Sequence, residues 1–261
     1  MDKGNHIPKS KQFYTSLKHF YDIKSNQNKP VQLFSGSPKF WRRPGLTRTD
    51  VDLTNLFIHK YNLSVFIHSI YLINLSQPPS VFKEKAFECL KWELQAGLLL
   101  GFKGVVVHCG KSLKFPIPEA LDNMYTNIRS LFKHVSPTCP LLLETSAGQG
   151  TETLSTIEAF STFYGRFTKE EHRLIKVCID TCHVFAAGYD PLAYLNTWTL
   201  QYPRSLVLVH FNDSKEKCGE KKDRHAFPGE GHIGAKKMCL IEAWCREHEM
   251  PMVMEVWKYI I

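Results

Sequence analysis

Short apolar, β-branched runs recur along the chain at Val31–Phe34, Ser64–His68, Gly104–Cys109, Leu141–Thr145, Val177–His183, Leu206–Asp213 and Met252–Trp257. Gly4–Ile7 is a weaker run of the same kind at the start. Continuous apolar runs of this length suit strands buried on both faces. Between them the pattern turns helical, over Lys11–Ile23, Thr49–Tyr61, Val81–Leu100, Glu119–His134, Thr151–Phe163, Pro191–Tyr202 and Ala235–Glu247. Pro78-Pro79 stops whatever precedes the third of these helices, and Ser80 is its expected N-cap. Asn26–Pro30 and Ser214–Arg224 read as exposed loops.

Strands that alternate with helices from end to end imply a parallel sheet of βαβ units. Eight strands and about seven helices in 261 residues predict one α/β domain over residues 1–261, a (β/α)8 TIM barrel. An open doubly wound sheet is the alternative, and it is disfavoured because no Gly-x-Gly-x-x-Gly follows an early strand. The eighth strand ends a few residues before the last one, so the barrel is expected to lack its closing C-terminal helix.

Hydrophobic residues at 43% and charged residues at 22% exclude a disordered or fibrous chain. No run approaches the roughly 18 apolar residues of a membrane span. The opening Met-Asp-Lys-Gly-Asn-His has no apolar signal core. An intracellular protein, cytoplasmic or nuclear, with no membrane partner is therefore expected. A net charge of +8, from 33 basic and 25 acidic residues, favours a polyanionic partner. None of the eight cysteines forms a Cys-x-x-Cys pair, which excludes zinc-ribbon and thioredoxin chemistry. Several lie in apolar runs, as reduced buried thiols do.

Barrel enzymes carry their reactive groups at the C-terminal ends of the strands. Here those ends read His68, His108, Glu144, Asp180 with His183, His210 with Asp223 and His225 in the loop beyond it, and Glu255. One histidine, or a loose pair such as Asp223-x-His225, carries no weight by itself. Six consecutive strand ends that converge on one mouth do. Five histidines and four carboxylates exceed what one metal ion uses and suit two or three. The donor types favour zinc or manganese. Three divalent ions against four carboxylates leave positive charge to attract a phosphodiester.

These segments resemble endonuclease IV, the zinc-dependent apurinic/apyrimidinic (AP) endonuclease family of DNA base-excision repair. Asp180-Thr-Cys-His-Val-Phe-Ala-Ala-Gly-Tyr-Asp190 is the most specific of the matching motifs. His210-Phe-Asn-Asp-Ser-Lys215 with Asp223-Arg-His225 and Gly229-Glu-Gly-His-Ile-Gly234 is a second. Glu144-Thr-Ser-Ala-Gly-Gln-Gly150 and His68-Ser-Ile-Tyr-Leu-Ile-Asn-Leu75 are a third and a fourth.

The resemblance implies cleavage of the phosphodiester 5′ to an abasic site in duplex DNA, with flipping of the abasic nucleotide. The products would be 3′-hydroxyl and 5′-deoxyribose phosphate ends. It implies three zinc ions per chain, with manganese as the alternative at one position, in a monomer. By similarity one zinc takes His68, His108 and bridging Glu144, the residue on which catalysis would depend most. A second takes Glu144, Asp180, His210 and Glu255, and the third takes His183, Asp223 and His225. Tyr71, Leu72 and Lys39 stand where the family enters DNA, and His6 where it supports the ligands from behind. Gly148-Gln149-Gly150 stands as either a phosphate-approaching segment or a turn.

The chain departs from the family in His108-Cys-Gly-Lys111, where His-Pro-Gly and a small residue are usual, and in Ser69-Ile70, where Asp-Ser is usual. Two other classes compete with this resemblance. A metal-dependent sugar isomerase of related architecture would not need the long motifs or the +8 charge, and a non-catalytic DNA-binding relative would not need all nine ligands.

Overall fold

A computed structural model of the chain describes residues 2–23, 26, 27 and 29–256. In chain order the elements are β1 Lys3–Ile7, α1 Phe13–Asp22, β2 Val31–Phe34, α2 Arg48–Tyr61, β3 Val65–His68, α3 Pro79–Glu84, α4 Ala86–Leu99 and β4 Gly104–His108. They continue with α5 Ile117–Leu131, β5 Leu141–Glu144, α6 Ile157–Tyr164, β6 Ile175–Asp180, α7 Thr181–Ala186, α8 Pro191–Gln201, β7 Leu206–His210, β8 Asp213–Ser214, β9 His225–Ala226, α9 Ala235–Glu247 and β10 Met252–Met254. Eight strands close a parallel barrel in the order β1-β10-β7-β6-β5-β4-β3-β2, the fold expected from the alternation. The short β10 lies between β1 and β7, pairing Lys3 with Met252 and Val253 with His210.

The barrel is filled by Phe66, Val106, Leu142, Cys178, Leu208 and Val253, a buried cluster separate from the larger one under the helices. Each is followed two residues later by His68, His108, Glu144, Asp180, His210 or Glu255. Side chains two apart on a strand share a face. The same alternation that packs the interior therefore stacks the six polar residues as the next layer toward the mouth. Strand register aligns them: His108 lies opposite Glu144, and Asp180 opposite His210.

Several element boundaries differ from expectation. The run Val177–His183 is not all strand, because Asp180 caps a helix that begins at Thr181, its side chain accepting the His183 N–H at 2.9 Å. The run Leu206–Asp213 breaks at His210, and Asp213–Ser214 instead pairs antiparallel with His225–Ala226. Ser214 is thus buried within a hairpin, not part of an exposed loop. The helix expected from Val81 is two helices, α3 and α4, separated at Lys85 (φ −134°). Ser80 is not a cap: the helix starts at Pro79, whose fixed φ suits the first helical position. Residues 151–156 are irregular, with Glu152 bridging to Lys111, and Thr156 caps α6. Pro30 is buried, and residue 28 of the expected Asn26–Pro30 loop lies outside the described residues. So does Trp257, the expected end of the last strand. Among the described residues no helix follows β10, and none is long and apolar enough to cross a membrane.

Candidate metal centre

The nine residues named from strand ends and the β8–β9 hairpin meet at the barrel mouth. Glu144 stands at their centre, almost fully buried. Its Oε2 lies 3.1 Å from His108 Nε2 and 3.4 Å from His68 Nε2. Its Oε1 lies 3.0 Å from His210 Nδ1 and 3.5 Å from His183 Nδ1. One carboxylate thus faces imidazoles from four other segments, one set to each oxygen. Glu255 Oε2 lies 3.4 Å from His210 Nδ1, and Asp180 Oδ2 lies 3.7 Å from the same nitrogen. Asp223 reaches His183 Nε2 at 3.2 Å and His225 Nε2 at 2.9 Å.

Three groups of ligand atoms lie within 4.8 Å of one another: His68, His108 and Glu144; Glu144, Asp180, His210 and Glu255; His183, Asp223 and His225. A fourth such group, Asp180, Cys182 and His225, brings in a cysteine that strand ends do not reveal, since Cys182 sits inside α7. Burial pushes the Cys182 thiol up to about 12, so it is protonated at neutral pH and a poor ligand as it stands.

Hydrogen bonds fix which ring nitrogens face the centre. His68 Nδ1 donates to the Ser69 carbonyl at 2.7 Å, and His183 Nδ1 to the Thr145 carbonyl at 2.8 Å. Each leaves Nε2 toward the carboxylates. Gln32, fully buried in β2, accepts from His210 Nε2 at 2.8 Å and donates to Glu255 Oε1 at 2.8 Å. It also donates to His6 Nδ1 at 3.0 Å, so His6 backs the site through Gln32. Asn212 donates to Asp180 Oδ2 at 2.8 Å and to Glu255 Oε2 at 3.3 Å. Gln32 and Asn212 are the functional residues that pattern alone misses. Gln32 hides in an apolar run, and Asn212 finds its partners only when β6, β7 and β10 are adjacent.

The charge balance is tight. Burial by itself would raise the Glu144 carboxyl, but His108 and His210 outweigh it and hold it well below the usual range. Burial likewise opposes ionisation of Asp223, and His183 and His225 override it. Burial disfavours the protonated His183 ring, yet Asp180 and Asp223 hold it well above the ordinary imidazole range. His225 follows for similar reasons, raised to about 8 despite burial, mainly by Asp180.

Among the described residues six buried side-chain nitrogen and oxygen atoms make no well-directed hydrogen bond, and four of them are here: His6 Nε2, Glu144 Oε2, His183 Nε2 and His225 Nε2, the last three meeting an oppositely charged group only as an ion pair at 2.9–3.2 Å. Three of the four belong to the nine ligand-type side chains, where a cation would give them the directed contacts they lack, and the donor set of imidazoles and carboxylates fits zinc or manganese.

The neighbouring loops are held by their own polar anchors. Fully buried Asp213 accepts the N–H groups of Ser214 (2.7 Å), Gly229 (3.0 Å), Ile233 (2.9 Å) and Gly234 (3.2 Å), which joins the two halves of the His210–Gly234 motif. Gly231 packs so closely that a Cβ there would lie 2.3 Å from the Ser214 carbonyl oxygen. Gly148 and Gly150, with φ of +80° and +63°, flank the start of a turn over residues 149–152 in which the Glu152 N–H donates to the Gln149 carbonyl at 3.2 Å, and Gln149 Oε1 accepts the Asp223 N–H at 3.3 Å. Cys109, in the His108-Cys-Gly-Lys111 segment, is buried and donates its thiol to the Glu144 carbonyl at 3.3 Å.

Tyr71 is 58% exposed on the rim, its ring edge-on to Phe34 and His108. Leu72 beside it is 42% exposed. Lys39 is exposed on the loop after β2, outside the ligand cluster.

Comparison with known proteins agrees with this architecture. Residues 29–241 match the family described as xylose isomerase-like TIM barrel. A probable endonuclease 4 of Haloarcula marismortui is 32% identical over 86% of this chain and 82% of its own. A putative endonuclease 4 of Acanthamoeba polyphaga mimivirus is 29% identical over 97% of this chain and 84% of its own. The crystal structure of endonuclease IV from Thermus thermophilus superposes with a TM-score of 0.84 at 25% identity, covering 100% of this chain and 94% of that one.

Proposed function

Because the chain belongs to the endonuclease IV family of xylose isomerase-like TIM barrels, we propose that it is a zinc-dependent AP endonuclease acting as a single domain over residues 1–261. Its substrate is duplex DNA, cut 5′ to an abasic site to leave 3′-hydroxyl and 5′-deoxyribose phosphate ends. The observation that carries this reading is the convergence of nine ligand-type side chains at one barrel mouth.

The residues divide the work. His68, His108 and Glu144 would hold one zinc; Glu144, Asp180, His210 and Glu255 a second; His183, Asp223 and His225 a third, with manganese the alternative at one position. Bound divalent cations supply Lewis-acid charge to a phosphodiester and lower the pKa of water. Glu144 presents one oxygen to each of two neighbouring ligand groups, so its charge serves both. Gln32 and the Ser69 and Thr145 carbonyls hold the imidazoles in one tautomer and orientation. A narrow cleft beside the ligands is bounded by Tyr71, Asn74, His108, Lys111, His183 and Asp223. Extrusion of a nucleotide into it costs least where the base is already missing. Tyr71, Leu72 and Lys39 are assigned to the opened duplex.

The test is cleavage of matched duplexes with and without one abasic site, with end-group analysis, before and after chelation. Chelator-sensitive nicking confined to the abasic duplex supports the proposal. No nicking, or nicking of both duplexes alike, overturns it. Elemental analysis of active protein purified without added metal should give about three divalent ions per chain, and a reproducible value near zero or one refutes the three-ion assignment.

A further inference from the structure

The loop between β2 and α2 is wrapped around a side chain that the metal centre does not use. Arg43 is drawn inside it, its side chain only 5% exposed. Nη1 donates to Ser35 Oγ at 2.8 Å and to Glu93 Oε1 at 3.3 Å. Nη2 donates to the carbonyls of Ser37 and Phe40, and Nε to that of Trp41. A loop whose carbonyls converge on one buried guanidinium is ordered before any ligand arrives, so binding through it loses little conformational freedom.

Glu93 of α4 fixes this loop to the rest of the mouth. The carboxylate is fully buried, and each oxygen holds a different segment. Oε1 accepts the Ser35 hydroxyl at 2.6 Å, and Oε2 accepts the Ser69 hydroxyl at 2.6 Å. Ser69 lies between His68 and the Tyr71-Leu72 rim.

At the tip of the Arg43 loop stands Phe40, 67% exposed, next to Lys39. The backbone on either side is pinned, so the ring is displayed to solvent with a cation beside it. A missing base leaves neighbouring base faces uncovered, and an aromatic ring is a sequence-tolerant platform for such a face.

We propose that Phe40 is a DNA-contacting residue that stacks on a base face exposed by the lesion, and that Arg43 is the positioning residue that presents it. The inference rests on the AP endonuclease reading given above. Phe40 belongs to none of the ligand groups at the mouth. Its contact is therefore made equally in the bound and transition states, and its loss raises KM without lowering kcat.

Steady-state cleavage of a duplex with one abasic site tests this. Phe40→Ala should raise KM about tenfold with kcat within about twofold, and Phe40→Trp should keep KM within about threefold of the wild type. Arg43→Met should raise KM by the same factor, and the double variant by no more than about twofold beyond either single one, because both remove one interaction. Arg43→Lys, which keeps the charge and loses the planar fork, carries the same expectation should Arg43→Met fail to fold. Phe40→Ala at the wild-type KM, or a fall in kcat with KM unchanged, overturns the proposal. Effects that multiply in the double variant overturn the positioning role of Arg43. A wild-type chain that leaves abasic duplex uncut refutes the AP endonuclease reading itself, a different result from uncompromised cleavage by Phe40→Ala.

Discussion

Asp213→Asn is a near-isosteric change with a calculable cost. Asp213 Oδ1 serves Ser214 and Ile233, and Oδ2 serves Gly229 and Gly234. An asparagine keeps one oxygen and turns the other into an NH2 group. Whichever way the amide lies, two of the four N–H donors then face another donor. Each unpaired donor costs about 1–3 kcal/mol. Water reaches the partly buried Gly229 and Gly234 side, so the amide should turn its donor that way, and the total is about 3 kcal/mol. For a chain of this size that lowers Tm by roughly 6–12 °C. The effect should extend to the metal centre, because Ser214 of β8 pairs with His225 of β9. Circular dichroism melts of metal-free protein measure the first effect. Elemental analysis after dialysis measures the second, with the ion assigned to His183, Asp223 and His225 lost first. Asp213→Asn with a Tm within about 2 °C of wild type and full metal content would falsify the account of Asp213 as the loop's anchor.

Three further outcomes are expected. Glu144→Gln removes one charge from two ligand groups at once, so cleavage should fall by at least about a thousandfold while abasic DNA is still bound; near-normal turnover rules out the shared-carboxylate assignment. Zinc uptake by metal-free protein at pH 7 should release protons, because His183 is held well above the ordinary range and His225 at about 8, whereas ligation needs neutral rings. Proton release should diminish as pH rises through about 8, and calorimetric heats at pH 7 that are the same in buffers of different ionisation enthalpy would contradict it. Tyr71→Ala should weaken cleavage of abasic duplex more than binding to intact duplex, with zinc content unchanged, since phosphate contacts alone do not discriminate the lesion; equal losses on both DNAs assign Tyr71 to the fold.

Much of the barrel is legible in the chain because its strands are apolar throughout and its helices are bounded by proline, glycine and polar caps. The six-membered polar layer is legible for the same reason, since each member stands two residues beyond an interior side chain. What escaped were polar residues whose partners come from distant segments. Gln32 looks like a strand position that tolerates an amide, yet its bonds run to His210 and Glu255. Glu93 reads as one more helical acid, and nothing in its own helix shows that Ser35 and Ser69 surround it. The start of α7 escaped because Asp180 ends a strand and caps a helix at once, two roles that hydrophobic periodicity does not separate.

The three-residue β10 between β1 and β7 has a consequence for biosynthesis. Until residues 252–254 leave the ribosome, β1 and β7 each present an unpaired edge, the kind of surface that recruits other chains. Glu255 emerges with the same segment, so Gln32 and His210 wait equally long for their last acidic partner. The nascent barrel is therefore an open sheet while the seven other strands are made, and its closure waits on this one. Chaperone dependence should concentrate in that interval. Ribosome-stalled chains ending before residue 252 should be protease-sensitive throughout, whereas released chains that contain β10 become resistant in a single step.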